Sequence, residues 1–313
     1  MHAIAPGKVM LAGEYAVLEG SDALVMAVDR FAIARRGEGA PLPRESVATL
    51  AVAKREGVLA RDHVMHLDTR ALEEGDRKLG LGSSAAGCSA ALVLAATDEG
   101  IDVSGRRAEL AALARRGHRE AQGGGSGVDV LSSMHGGVIA VRFPEGTDRE
   151  PVVESIAWPS SIPWCVLWTG VPVRTSELIR AVKAFAARDP NGMVECMNAI
   201  REAAGHFESA LRAGSATETV RAIRAHARAM DRLGSSSDAA IVTTAMRQLG
   251  AAVEPLGGGI KPSGAGGGDI VFAAAQDSGA LDEVIRAGRE HGFVPLDLAI
   301  DSRGARTTAG DTA

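Results

Sequence analysis

The sequence predicts an α+β fold in two domains, 1–157 and 158–313. Three observations carry that expectation. Short apolar stretches at Ala3–Ala12, Ala23–Val28 and Phe31–Ala34, separated by turn residues, read as antiparallel strands. Apolar residues then recur at helical spacing, and strands return at Val138–Phe143, Trp164–Trp168 and Ile270–Ala275. Between Glu150 and Pro163 the composition changes, and Pro151, Pro159 and Pro163 mark the boundary.

In chain order, Pro6-Gly7-Lys8 interrupts the first strand and predicts a bend that aims Lys8 sideways. Gly37–Pro43 is a loop, and 44–77 carry no assignable pattern. The nearly all-apolar run ending at Ala96 is a buried helix. A second helix is capped by Ser104 and runs to about Gln122, with Leu110, Leu113, Ala114 and Ala121 on one face and His118 beside it as a partly buried structural histidine. Asp129 opens an amphipathic segment ending at His135-Gly136-Gly137. In the second half, the loop Thr169–Ser176 caps a helix from Glu177 to about Ala187. Val220, Ile223, Ala227 and Met230 mark another helix, and Ile241, Ala245 and Leu249 a further one capped by Asp238. Thr307–Ala313 is a polar tail.

Composition narrows the function. At 313 residues and net charge −5, with no basic stripe, the chain is not built for nucleic acid. Cys88, Cys165 and Cys196 are isolated and lack metal-binding spacing, which predicts a reduced, cytoplasmic protein. Cys88 is expected in the core. No secretory leader and no membrane-length apolar stretch is expected.

Three glycine loops carry the chemistry. Lys78-Leu79-Gly80-Leu81-Gly82-Ser83-Ser84-Ala85-Ala86 opens the apolar helix, where unpaired N–H groups and partial positive charge suit a phosphate. Ser83 and Ser84 can cap the helix or turn a hydroxyl toward a phosphate-bound metal. The lysine precedes the glycines, so this is not a Walker loop. Gly80-x-Gly82-x-x-Ala85 fits a relaxed dinucleotide fingerprint, but Glu73–Lys78 is too charged to be the buried strand that fingerprint needs. The second loop, Gln122–Asp129, presents Ser126 and the Asp129 carboxylate. The third, Gly257–Asp269, reads as an anion nest between extended segments.

Pro6-Gly7-Lys8 with Gly13-Glu14, then Gly80–Ala86, then Lys261–Asp269, resemble in this order the three signature motifs of the GHMP kinases. The resemblance implies a ribosomal protein S5 domain 2-like N-terminal ATP-binding domain and a ferredoxin-like C-terminal domain, with a cleft for ATP and substrate between them. By motif, it implies that Lys78, Gly80, Leu81, Gly82, Ser83, Ser84, Ala85 and Ala86 hold the ATP phosphates and that Ser84 contacts Mg²⁺. Lys8 and Asp129 would be the catalytic pair. Glu14, Tyr15, Ser126, Arg174, Lys261, Ser263, Gly264, Ala265 and Gly266 would bind substrate, and Lys78, Arg119, Arg174 and Lys261 would be its cationic partners.

Within the family, Lys261–Asp269, Thr169–Ser176 and Gln122–Asp129 are most similar to the phosphomevalonate kinase branch, which implies ATP-dependent phosphorylation of 5-phosphomevalonate in isoprenoid precursor synthesis. Mevalonate kinases carry a metal-binding glutamate about where His118 stands, which counts against that alternative. A silent sensor would have no need of Lys8, Ser84 and Asp129. The expected partner is a small-molecule substrate (phosphomevalonate), with no nucleic acid and no membrane, for a monomer or homodimer.

Overall fold

The computed structural model describes residues 1–75, 77–144, 150–173 and 175–308. The chain runs β1 (His2–Ala12), β2 (Ala23–Arg36), α1 (Arg44–Arg55), β3 (Met65–Asp68), β4 (Glu73–Glu74), β5 (Arg77–Lys78), α2 (Ser83–Asp98), α3 (Arg107–Gln122), α4 (Val128–His135), β6 (Val138–Arg142) and β7 (Val152–Ile156). It continues as β8 (Trp164–Trp168), α5 (Thr175–Arg188), α6 (Pro190–Arg212), α7 (Ala216–Ser236), α8 (Thr244–Val253), β9 (Gly258–Pro262), β10 (Ile270–Ala275), α9 (Ser278–Glu290), β11 (Val294–Leu296) and β12 (Arg306–Thr308). The α+β expectation holds.

Two compact units form. One comprises Met1–Val9, Val25–Ser155 and Ala299–Ala313, the other Met10–Leu24 and Ile156–Leu298. A division into 1–157 and 158–313 therefore needs two corrections: Met10–Leu24 belongs with the second half, and the chain from Ala299 belongs with the first. The second is explained by bonding. Asp29 N–H donates to the Ala299 carbonyl at 3.0 Å, Ala299 N–H returns to the Asp29 carboxylate at 2.7 Å, and β12 pairs antiparallel with β1.

In the first unit the sheet order is β12-β1-β2-β6-β7, with β3 also on β2. Strand β1 is unbroken, contrary to the bend expected at Pro6-Gly7-Lys8. The reason is a close crossing. A Cβ on Gly7 would lie 2.9 Å from the Leu81 carbonyl, and Lys8 N–H donates to that same carbonyl at 2.8 Å. Likewise β2 is one strand rather than two, because the returning Ala299 segment pairs with Asp29 where a break was expected.

Residues 44–77 contain α1, which packs on α3 at Gly117, where a Cβ would stand 2.3 Å from the Thr49 Cα. Ser104 does not cap α3. Its hydroxyl donates to Asp102 at 2.7 Å, and the backbone of Arg106 precedes the helix. Cys88 lies fully buried in α2, its thiol pushed up to about 12 by burial.

The second unit has the sheet order β11-β8-β10-β9, antiparallel throughout. With helices between β8 and β9 and α9 between β10 and β11, this is the ferredoxin-like order. Val271 and Ala273 enter the main core with Leu167, Met197, Ile200, Met230, Leu233 and Leu249. On the opposite face Phe272 stacks on Trp164, and Trp158 meets its edge. Helix α6 begins at a true cap: Asp189 accepts from Gly192 N–H at 2.9 Å, and Pro190 takes the first helical position. Helix α8 is capped by Thr243, not by Asp238, which sits instead at φ 55 in the preceding turn.

A buried ion pair joins Met10–Leu24 to the rest of this unit. Lys261 has no exposed surface, and its ammonium donates to the Glu14 carboxylate, to Met10 O at 3.2 Å and to Pro262 O at 2.6 Å. His226, equally buried, accepts the Gly13 N–H at 3.2 Å. Burial first, and the Lys261 charge second, push its imidazole down to about 4 against the pull of Glu14. The 3.2 Å approach of His226 Nε2 to Glu14 is accordingly a neutral contact rather than an ion pair.

Two stability outcomes follow from these contacts. In an open helix Gly→Ala stabilises by about 1 kcal/mol, but Gly117→Ala should destabilise by about 1–3 kcal/mol, because α1 must retreat from α3. Thermal unfolding checks the sign. Lys261→Met leaves a buried carboxylate without its cation and should cost about 3–5 kcal/mol, with Glu14→Gln comparable and the double variant recovering part of the loss. Urea unfolding of both single variants within about 1 kcal/mol of the parent would contradict the pairing.

Candidate active site

Helix α2 begins at Gly82 in the left-handed region, φ 77 and ψ 44, with no side chain capping it. Ser83 and Ser84 thus occupy the first turn and are not caps, contrary to one expected role. The first closing bond is Ala86 N–H to Gly82 O at 3.0 Å, so the N–H groups of Ser83, Ser84 and Ala85 precede the helical ladder. No acidic residue occupies this turn. The partial positive charge there is uncompensated and suits an anion.

The loop ahead of α2 is anchored by Leu79 and Leu81, both buried. Between them Gly80 takes φ 82. Lys8 is half-buried, and its Nζ donates to Gly80 O at 3.2 Å. A Cβ on Gly82 would lie 3.0 Å from Lys8 Cγ and 3.1 Å from Cε, so the lysine stem lies across the glycine face. An ammonium is thereby delivered beside the uncapped helix start. Lys78 is exposed on β5, opposite Glu73.

His118 is 3% exposed, and its Nε2 lies 3.1 Å from Ser84 Oγ and 3.2 Å from Gln122 Nε2. Arg119, on the same helix, is exposed. Beyond α3 the second glycine loop is held by Arg115, which is buried and donates to Ser126 O at 2.9 Å and to Glu150 at 2.9 Å. A Cβ on Gly127 would meet Arg115 Cγ at 2.6 Å. Gly127 then starts α4 with φ 72, and Asp129 stands half-buried in its first turn, accepting Val130 N–H at 3.0 Å. The Asp129 charge reaches α2, where it helps raise the Cys88 thiol. Among the described residues, Lys8 and Asp129 share no ion pair; Lys8 is bonded to the loop before α2 and Asp129 to the first turn of α4.

In the second unit the third loop is built from within. Met10 N–H donates to Ser263 Oγ at 2.8 Å, and Ser263 N–H to Ile270 O at 3.1 Å. Gly264 N–H points at the Glu14 carboxylate, 3.4 Å away. Tyr15, strained at φ 61, donates its phenol to Ala265 O at 2.6 Å, and burial raises its pKa. A Cβ on Gly266 would stand 2.3 Å from Ile241 O, so only glycine fits. Glu14, Tyr15, Lys261 and Ser263, expected to touch substrate, are buried, with Glu14 Oε1, the Tyr15 phenol, the Lys261 ammonium and Ser263 Oγ bonded inside this unit. Gly264 and Ala265 remain partly exposed. Arg174 lies outside the described residues.

Sequence reasoning missed Arg115 and His226. Both break an apolar helical stripe, Arg115 beside Leu113 and Ala114, His226 between Ile223 and Met230. A polar residue on a core face is the signal that would have found them.

The pattern described as "GHMP kinases N terminal domain" matches residues 48–137, and that described as "GHMP kinases C terminal" matches residues 207–293. A phosphomevalonate kinase from Streptomyces sp. strain CL190 is 28% identical over 359 residues, covering 94% of this chain and 95% of that one. A mevalonate kinase from Aeropyrum pernix is 28% identical over 329 residues, covering 97% of each. The solved structure of Streptococcus pneumoniae phosphomevalonate kinase in complex with phosphomevalonate and AMPPNP is similar with a TM-score of 0.81 at 19% identity, covering 96% of this chain and 99% of that one. With both domain patterns matched in chain order over more than half its length, the chain belongs to the GHMP kinase family.

Proposed function

We propose that the protein transfers the γ-phosphoryl group of ATP to 5-phosphomevalonate, giving ADP and 5-diphosphomevalonate. The observation that carries the transfer is the uncapped start of α2, with the Lys8 stem laid across Gly82. The acceptor is supported by the third loop, Lys261-Pro-Ser-Gly-Ala-Gly-Gly-Gly-Asp269, and by the likeness to the Streptomyces enzyme. Phosphorylation of mevalonate is the second reading, favoured by an equal identity to the Aeropyrum enzyme.

Phosphoryl transfer asks chiefly for alignment and charge neutralisation. The N–H groups of Ser83, Ser84 and Ala85 would hold phosphate oxygens. Lys8 would stabilise the transferred group and the attacking oxygen. The residues fit Mg²⁺: Ser84 offers a hydroxyl at the helix start, and triphosphate oxygens and water commonly complete such a shell. Among the described residues, no cluster of three acidic, histidine or cysteine side chains offers a self-sufficient site. When bound, the cation would neutralise phosphate charge. A phosphate monoester has a second pKa of about 6 and needs no base near neutral pH. Asp129 would then orient the acceptor and Lys8.

The test is ADP release from ATP and Mg²⁺ with mevalonate and 5-phosphomevalonate offered in parallel. Turnover with 5-phosphomevalonate alone is expected; turnover with mevalonate alone would replace this reading by the second. The same assay checks two roles. Lys8→Met should lower kcat by about 100-fold or more. Asp129→Asn should lower it far less, since a proton-abstracting carboxylate would contribute about 100- to 10,000-fold. The reverse ranking would return Asp129 to the part of base.

A further inference from the structure

We infer that His118 is a positioning residue that turns the Ser84 proton inward and leaves the Ser84 lone pairs facing the cation of a metal–triphosphate. The inference rests on the phosphotransfer reading and extends it to a residue outside the signature motifs.

The argument is one of donors and acceptors. Helix α3 places His118 and Gln122 one turn apart on the same face. Gln122 presents its amide nitrogen to His118 Nε2 at 3.2 Å, and an amide nitrogen can only donate. With the amide oriented this way, Nε2 is the acceptor and the ring proton is on Nδ1. Ser84 Oγ lies 3.1 Å from that same Nε2, and its hydroxyl shares the nitrogen's one in-plane lone pair with the amide as a second, bifurcated donor. A hydroxyl has one proton and two lone pairs. With the proton fixed on a buried ring, both lone pairs are free to meet a cation.

Ser84 is in the first helical turn, where its backbone N–H lies open to a phosphate. One residue would thus offer an anion its N–H and a cation its oxygen. Without an acceptor at 118, the hydroxyl rotates and donates to whatever oxygen is nearest, including the triphosphate itself. That would remove the lone-pair orientation without removing the hydroxyl. Groups that orient a metal ligand in this way typically contribute 10- to 100-fold to metal affinity or activity.

The test measures AMPPNP binding by calorimetry, in EDTA and across a Mg²⁺ titration. For wild type, Mg²⁺ should tighten binding. His118→Leu should raise the Mg²⁺ concentration needed by about 10- to 100-fold, while affinity in EDTA should not fall. His118→Gln, which keeps an acceptor at similar reach, should stay within a few-fold of wild type. Ser84→Ala combined with His118→Leu should be no worse than Ser84→Ala alone, because both remove one interaction. His118→Phe keeps the bulk of the ring without its acceptor and serves if the leucine variant fails to fold. An unchanged Mg²⁺ requirement in His118→Leu or His118→Phe would overturn the inference, as would a loss that adds to that of Ser84→Ala. Wild-type binding that gains nothing from Mg²⁺ would instead overturn the phosphotransfer reading on which the inference stands.

Discussion

A lysine ammonium sealed from water tolerates few geometries. Lys261 has no exposed surface, and its donors converge on Met10 O, Pro262 O and the Glu14 carboxylate. Breaking such a pair is far more costly than never having built it. The end of β1, the end of β9 and the turn at Glu14 must therefore meet at one point. The consequences spread along the chain. Glu14 also faces Gly264 N–H, Tyr15 is held at φ 61 with its phenol on Ala265 O, and Gly13 leans on a neutral His226. A loop of glycines that would be mobile in isolation is fixed by side chains from a segment 250 residues away in sequence.

The two phosphate-like loops use glycine for opposite ends. Before α2, Gly80 and Gly82 turn the chain so that the first N–H groups of a helix are left open. In the third loop many donors are taken up internally: Ser263 N–H by Ile270 O, Gly267 N–H by Ile241 O, Asp269 N–H by Val171 O. There the glycines let backbone pack on backbone, as the 2.3 Å clearance at Gly266 requires. Glycine density alone does not distinguish a loop that offers N–H groups from one that uses them.

This difference explains what could be read in advance. The order of the loops, the buried helix after Ser84, the position of Asp129 at the start of α4 and the strands β8 and β10 were legible, because each rests on local pattern. What failed was non-local. Pro6-Gly7 looks like a bend in sequence but is a straight strand crossing beneath Leu81. Lys261 looks like a cation for a substrate but is neutralised by Glu14, which no window around either residue contains. Helix α1 was hidden because the face it buries is Ser46, Thr49, Val52 and Ala53, half of it polar, so no hydrophobic stripe marks it.

The placement of Asp129 bears on which acceptor the site suits. An alcohol requires a carboxylate close enough to take its proton. An acceptor already charged requires the opposite, since a bare carboxylate beside it adds a third anion to two that must approach. Asp129 stands in the first turn of α4 with an oxygen on Val130 N–H, where the helix start partly offsets its charge. The first turn of α2 carries no acid, and Lys8 brings a cation across it. A cation laid across the uncapped start of α2 and a carboxylate engaged at the start of α4 are thus the two charges that this unit sets on its glycine loops.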